Sequence, residues 1–130
     1  MKLVLIRGLP GSGKSTMARA MTGFIHCEAD KFFECETGEY RYDPEKLKDS
    51  HEWCQREVLN ALENRKSVVV SNTFVKLWEM EPYLKMAKKL GIESQVVEAT
   101  GNWPNVHGIH KEIVDRMRRT WEMRPNQLPQ

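Results

Sequence analysis

The sequence predicts an α/β fold in which about four parallel strands form one sheet between layers of helices. Short apolar segments alternate with segments whose apolar residues recur at helical spacing. The apolar segments are continuous, as is typical of strands buried on both faces of a parallel sheet. We expect a single domain over residues 1–124 and a frayed tail over residues 125–130.

The first elements surround a glycine-rich segment. Residues 2–7 are mostly apolar and end at a glycine, which predicts a buried strand, and residues 14–22 favour a helix. A second strand is predicted over residues 24–27. Residues 33–43 place Gly38 between polar and aromatic residues, so we interpret this segment as an excursion with the form of a small hairpin.

The longest predicted helix follows that excursion. Asp43 and Pro44 form a cap and a first-turn proline, and apolar residues then recur at helical spacing as far as about Arg65. Residues 67–72 contain a run of three valines, which predicts the third strand.

Two more helices and a strand complete the pattern. A helix containing Pro82 is expected to end at Gly91, and residues 92–99 supply the fourth strand. Residues 110–123 predict a final amphipathic helix. Its apolar side is formed by Ile113, Met117 and Trp121. We expect Trp121 in the core.

Composition narrows the possible functions. The 20 Lys and Arg against 18 Asp and Glu give a net charge of +2, so any nucleic-acid contact needs a local basic patch. The apolar runs are far shorter than the roughly 20 residues of a membrane span, and the run after Met1 is too short for a secretory signal. We therefore expect a cytoplasmic protein without a membrane segment. Cys27, Cys35 and Cys54 lack metal-type spacing and are expected to be reduced thiols.

The segment from Gly8 to Ser15, GLPGSGKS, fits the pattern G-x-x-x-x-G-K-[ST] between a predicted strand and a predicted helix. Its glycines let backbone N–H groups converge on phosphate oxygens. Lys14 is expected to reach the β- and γ-phosphates of a nucleotide, Ser15 to hold Mg²⁺, and Thr16 to support the helix. The predicted fold is thus a three-layer P-loop domain. The candidate nucleotide-binding residues are Gly8, Pro10, Gly11, Ser12, Gly13, Lys14, Ser15 and Thr16.

A kinase also needs a group that accepts the proton of the acceptor hydroxyl. Asp30 follows the second predicted strand, at the sheet edge where parallel sheets bind ligands, and is our candidate base. An Asp at this place can equally cap the next turn, so both interpretations stay open. For Glu28, which is closer to the strand, an inward orientation is an open alternative.

Together, these motifs resemble those of the small P-loop kinases, AAA-type ATP-binding proteins that include phage polynucleotide 5′-kinase domains and eukaryotic polynucleotide-kinase-like domains. The likeness covers roughly residues 2–117. Besides the GLPGSGKS loop it rests on Ala29-Asp30, Gly38-Glu39-Tyr40 to Asp43, His51-Glu52-Trp53, Asn72-Thr73, Trp78-Glu79-Met80-Glu81-Pro82-Tyr83 and Asn105-Val106-His107-Gly108. The resemblance implies a kinase-type fold, ATP with Mg²⁺ as the phosphoryl donor, and Asp30 as the base.

The chain departs from the family pattern at three places. Lys31 stands where the family has the second Asp of a pair, and Ser71 stands where it often has an acid that holds metal-bound water. The segment from Thr100 to Asn105 is too short for the helix that carries lid arginines in relatives. Arg116 and Arg119 on the last helix are candidate catalytic replacements, with a solvated charged face as the alternative.

Other aromatic and histidine residues have less specific interpretations. Trp53, Trp78 and Trp103 can stack a base, although packing is the commoner use of Trp. His51 has structural and functional interpretations in equal measure, and His26 is interpreted as packing. We do not expect a zinc site, because His107 and His110 lack further ligands at metal spacing.

The first functional prediction is a Mg²⁺-dependent kinase that moves the γ-phosphoryl group of ATP to a hydroxyl, with the 5′-OH of single-stranded DNA or RNA as the expected acceptor. The alternatives are a nucleoside, nucleotide or other small-molecule kinase, and an ATP-binding or slowly hydrolysing module with reduced catalysis that acts as a switch or accessory protein. A toxin kinase that modifies protein or a cell-wall sugar is disfavoured by the motifs after residue 40. The sequence leaves the oligomeric state open.

Overall fold

A computed structural model describes residues 1–34, 39–101 and 109–124. Several sequence predictions lie outside these ranges. They concern Cys35, Gly38, Trp103, the stretch Asn105-Val106-His107-Gly108 and the tail 125–130.

Four strands form one parallel sheet in the order β2-β3-β1-β4. They are β1 (Lys2–Arg7), β2 (Ile25–Cys27), β3 (Val68–Asn72) and β4 (Glu93–Glu98). The predicted α/β fold is confirmed. Because β1 lies between β3 and β4, the loop that leaves its carboxyl end opens at the centre of the sheet, where parallel sheets bind their ligands.

Helices connect the strands. They are α1 (Lys14–Arg19), α2 (Leu47–Glu63), α3 (Glu81–Leu90) and α4 (Lys111–Thr120), and short 3₁₀ turns cover Ala29–Phe33, Pro44–Lys46 and Leu77–Met80. None of these helices is long and apolar enough to cross a membrane, within the part of the chain that the structure describes.

The caps predicted at Asp43 and Gly91 are present, but two helices end earlier than predicted. The last helix, α4, ends at Thr120 rather than at residue 123. Asp43 accepts a hydrogen bond from the Glu45 backbone at 3.0 Å, and Gly91, at φ 69°, ends α3. The first helix is shorter than the predicted range 14–22: α1 stops at Arg19, because the chain turns through Gly23 at φ 85° to enter β2.

The core lies on both faces of the sheet. Leu3 and Leu5 of β1 pack in one cluster with α2 and α3, and the intervening Val4 and Ile6 pack in a second cluster with Ala18 of α1. This alternation explains why β1 has no polar residue between Leu3 and Ile6. The predicted excursion includes one antiparallel bridge, between Glu34 and Tyr40, at the ends of the described residues there.

Arg7, the last residue of β1, is fully buried. Its Nη2 donates to the backbone oxygens of Phe74 at 2.7 Å and Val75 at 3.2 Å, and its Nε donates to Phe74 at 3.1 Å. Phe74 adopts a left-handed backbone at φ 47°, which is uncommon for a non-glycine residue. The guanidinium thus holds the segment after β3 in a conformation that it would seldom adopt alone.

The last helix packs differently from the prediction. None of the ten residues of α4 is buried, and Ile113 is 43% exposed. Trp121 lies half-buried beneath Arg7, whose Cζ is 3.9 Å from the ring centroid, so its expected place in the core is wrong. The next residue, Glu122, is joined to Val75 and Leu77 by two hydrogen bonds of 2.9 Å.

The Arg7 contacts predict a large loss of stability when the guanidinium is removed. Because hydrogen bonds to charged groups contribute about 1.5–3 kcal/mol each, Arg7→Met is expected to lower the free energy of unfolding by about 3 kcal/mol. Urea denaturation measures this quantity. The control is Arg56→Met on the exposed surface of α2, with an expected change below about 0.5 kcal/mol. Equal losses in both variants would contradict the role given to Arg7.

Cys27 and Cys54 are buried free thiols, and burial raises the pKa of Cys27 to about 12. Thiolates rather than thiols react, so both groups should be inert in the folded protein. We expect Cys35→Ser protein to release almost no thionitrobenzoate from Ellman's reagent at pH 8, and to release it fully in denaturing urea. Fast reaction of either thiol in the native protein would show that this part of the core opens readily.

Candidate nucleotide and phosphoryl-transfer site

The glycine-rich loop runs from Gly8 to Gly13 between β1 and α1. Gly13 is the residue before α1 and has φ 90°, a left-handed conformation that side chains disfavour. A Cβ atom at Gly8 would collide with the Ser12 hydroxyl and lie 3.1 Å from the Ala99 oxygen. The geometry therefore explains two of the glycines in the motif. The loop is fixed at its far side by the Gly101 N–H, which donates to the Ser12 oxygen at 3.0 Å.

Lys14 and Ser15 form the first turn of α1. The Lys14 side chain is only 9% exposed, and burial lowers the pKa of its ammonium, while the charges of Glu28 and Asp30 oppose this shift. A cation held in this place can bind phosphate oxygens. Thr16 is exposed, and its hydroxyl lies 3.4 Å from Nη2 of Arg19 on the same helix.

Glu28 directly follows β2 and is 6% exposed. The Ser15 hydroxyl lies 3.0 and 3.1 Å from its two carboxylate oxygens. Burial raises the pKa of Glu28, but hydrogen bonds from His26 and Ser15 and the charges of His26 and Lys14 outweigh it, so the net pKa is below the usual value. The inward orientation is confirmed, and Glu28 is a site residue to which the sequence analysis gave no role.

His26 and Ser71 hold the same carboxylate from the other side. His26 Nε2 lies 2.6 Å from Ser71 Oγ and 3.3 Å from Glu28 Oε2, and Ser71 Oγ donates to Glu28 Oε2 at 3.3 Å. The interpretation of His26 as a packing residue is therefore wrong, because its ring joins a polar network. The signal available in the sequence was spacing: residues 26 and 28 point to the same face of an extended segment.

Asp30 lies inside the 3₁₀ turn Ala29–Phe33, whose N-cap is Glu28. Glu28, and not Asp30, is therefore the residue at the cap position of this turn. The Tyr40 hydroxyl donates to Asp30 Oδ1 at a long 3.5 Å, and burial together with the Asp30 charge raises the pKa of Tyr40. Asn72 holds the start of the turn, where its side-chain oxygen accepts the Ala29 N–H at 2.9 Å. Lys31 turns back to donate to the His26 backbone oxygen at 3.1 Å.

A cleft of about 540 Å³ opens beside this turn. Its walls combine aromatic rings with charged and polar groups from the turn and from the chain before α2. They are Phe32, Phe33, Glu34, Arg41, Tyr42, Asp43, Pro44 and Lys46. Tyr42 is 51% exposed, and its ring centroid is 5.2 Å from that of Phe33.

The remaining candidates have varied positions. Arg116 and Arg119 are exposed on α4, and none of the contacts described above joins them to the loop. Trp53 packs against Phe32 with ring centroids 5.9 Å apart, whereas Trp78 is 66% exposed. His51 is half-buried on α2. The imidazole of His110 caps α4 by accepting the Glu112 N–H at 3.2 Å.

Comparison with known proteins finds relatives that differ in how much of their own length this chain covers. The chain is 35% identical over 130 residues to human NEDD4-binding protein 2, covering 88% of this chain but only 7% of that protein. It is 31% identical over 132 residues to the uncharacterized protein PM0531 of Pasteurella multocida, covering 88% of this chain and 73% of the relative.

Solved structures share the fold at low sequence identity. The Pnkp1/Rnl/Hen1 complex matches with a TM-score of 0.62 and 22% identity, over 84% of this chain and 39% of that one. The Mycobacterium tuberculosis APS kinase CysC, in complex with AMPPNP and APS, matches with a TM-score of 0.53 and 18% identity, over 75% and 61% of the two chains.

The family model of an AAA domain matches residues 3–121, a range that contains all of the described strands and helices except Lys2, the first residue of β1. This match spans the glycine-rich loop and both acidic residues after β2. The chain therefore belongs to this AAA-domain family, and its fold is that of the P-loop kinases.

Proposed function

We propose that the protein is an ATP- and Mg²⁺-dependent phosphotransferase that moves the γ-phosphoryl group of ATP to the 5′-hydroxyl of a nucleic acid. One observation carries the proposal: Ser15, next to Lys14 at the start of α1, contacts Glu28, which begins the turn that carries Asp30. A phosphate-binding cation and a carboxylate in one site are what transfer to a hydroxyl requires.

In the proposed reaction each residue has one task. The loop N–H groups and Lys14 bind the β- and γ-phosphates, and Ser15 offers its hydroxyl to Mg²⁺. When bound, the metal ion neutralises charge on the phosphate oxygens. Asp30 accepts the proton of the acceptor hydroxyl while the oxygen of that hydroxyl forms a bond to the γ-phosphorus. The bond between that phosphorus and the bridging oxygen breaks, and ADP leaves with the electron pair.

The cleft lined by Phe32 and Phe33, from the same turn as Asp30, supports a nucleic-acid acceptor. Tyr42 presents an exposed ring on which a base can stack, and Lys46 on the same wall can contact a backbone phosphate. One of the solved structures with this fold is described as an RNA repair complex, which also favours this acceptor class. Because the sequence identity to that structure is only 22%, the likeness is direct support for the fold and adds less support for the acceptor.

A second candidate function is an ATP-binding or slowly hydrolysing module with reduced catalysis. The exposed positions of Arg116 and Arg119 on α4 favour it. An arginine on the transferring group is worth orders of magnitude in rate, so a site without one would bind ATP and transfer slowly.

Phosphate transfer from γ-labelled ATP to 5′-OH DNA and RNA oligonucleotides tests the proposal. Asp30→Asn is expected to lower the transfer rate at least about 100-fold while keeping the affinity for ATP, because it removes only the proton acceptor. Lys14→Ala is expected to lose both ATP affinity and transfer. Asp49→Asn, exposed on α2, serves as the matched control with transfer unchanged.

The outcomes separate the candidates. ATP binding without transfer to either oligonucleotide, but with transfer to a nucleoside or another small hydroxyl compound, would replace the nucleic acid by a small-molecule acceptor. ATP binding that Lys14→Ala abolishes, with no acceptor-dependent transfer in the wild type, would support the ATP-binding module instead.

The cleft makes a separate prediction about the acceptor. Stacking on an aromatic side chain is worth about 1–3 kcal/mol per base, so Tyr42→Ala should raise the KM for the oligonucleotide about fivefold or more. The KM for ATP should not change, because Tyr42 is not part of the glycine loop. Trp78→Ala, which removes another exposed ring, is the control in steady-state kinetics. An unchanged oligonucleotide KM in Tyr42→Ala would exclude the cleft as the base-binding surface.

A further inference from the structure

We infer that Glu28 supplies the carboxylate of the magnesium site and that His26 and Ser71 position it. This inference deepens the proposed function, because it names the acidic residue that acts with Ser15 on the metal of Mg²⁺-ATP.

The first argument concerns the Ser15 proton. A hydroxyl that binds a metal ion uses an oxygen lone pair, so its hydrogen must point to an acceptor elsewhere. Both oxygens of Glu28 lie within 3.1 Å of Ser15 Oγ, and Glu28 accepts that hydrogen. The carboxylate therefore fixes the orientation in which the Ser15 lone pairs are available to Mg²⁺.

The second argument concerns the neighbouring strands. β2 and β3 pair in parallel with Cys27 beside Val70, so the next residues, Glu28 and Ser71, come side by side at the same edge of the sheet. The hydrogen bond of 3.3 Å between them shows that the two positions reach the same point. An acid can therefore occupy that point from β2 as well as from β3.

The third argument concerns the contacts that hold the carboxylate. Oε2 of Glu28 contacts Ser71 Oγ and His26 Nε2, while Lys31 ties the backbone at His26 to the turn after Glu28. Partners of this kind hold metal-binding carboxylates in many sites, and their removal commonly costs 10- to 100-fold in metal affinity. A carboxylate that served only as a counter-ion of Lys14 would not need to face the Ser15 hydroxyl.

The test measures how much Mg²⁺ strengthens ATP binding, without any turnover. Isothermal titration calorimetry gives the dissociation constant of ATP with Mg²⁺ and with EDTA, and the ratio of the two is the metal effect. Glu28→Gln, which keeps the size and shape of the side chain, is expected to lower this ratio about tenfold or more. Affinity for metal-free ATP should stay the same or rise, because a negative charge near the phosphates is gone.

The double variant Glu28→Gln with Ser71→Asp returns a carboxylate to the neighbouring strand and should restore much of the ratio. Glu63→Gln, exposed at the end of α2, is the control, and circular dichroism shows that each variant is folded. His26→Gln should lower the ratio by a smaller factor than Glu28→Gln.

A metal effect that Glu28→Gln leaves within about twofold of the wild type would overturn the inference. Equal weakening of ATP binding with and without Mg²⁺ would also overturn it, since a counter-ion of Lys14 would behave in this way. A folded double variant that restores nothing would contradict the equivalence of the two positions. Failure of phosphate transfer with a metal effect that still depends on Glu28 would remove the transferase proposal and leave this one standing.

Discussion

The buried guanidinium of Arg7 is the interaction on which the arrangement of the site depends. It stands at the end of β1, directly before the glycine loop, and it fixes the backbone of Phe74 and Val75 beyond β3. Its other face stacks on Trp121 at the end of α4. One charged group therefore joins three segments that are far apart in sequence. A charge can stay in this interior because backbone carbonyls accept from Nε and Nη2 and an aromatic face covers the guanidinium.

The polar groups around the glycine-rich loop also need partners that replace water. Lys14, Glu28, Ser71 and Asn72 are buried at the carboxyl ends of the strands, and each finds a polar or charged neighbour there. Burial opposes the charge of Lys14, and the nearby acids support it. The site thus keeps opposite charges close together in a region of low exposure, where a triphosphate and a metal ion would gain more from them than in water.

The sequence alone predicted the sheet, the loop and most helix boundaries, because these depend on local patterns: valine runs, the glycine spacing and the cap at Asp43. It did not predict the partners of Glu28. His26 and Ser71 are 45 residues apart along the chain, and Glu28 and Ser71 are 43 apart, so their contact follows only from the pairing of β2 with β3. Trp121 was misplaced for a related reason. Its apolar spacing is correct for a core position, but a cation from β1 occupies one of its faces.

At the carboxyl end of a parallel sheet, an acidic residue can follow either of two neighbouring strands and still bring its carboxylate to the same place. Strands that pair in register bring their next residues to one place, and a side chain from either strand can fill it. Glu has one methylene more than Asp, which lets the carboxylate extend from the edge strand β2 towards Ser15 on α1. The small Ser71 on β3 leaves room for it and adds a hydrogen bond. A pattern search for an acid after β3 would read this site as incomplete, whereas the geometry shows a buried carboxylate in contact with the motif serine.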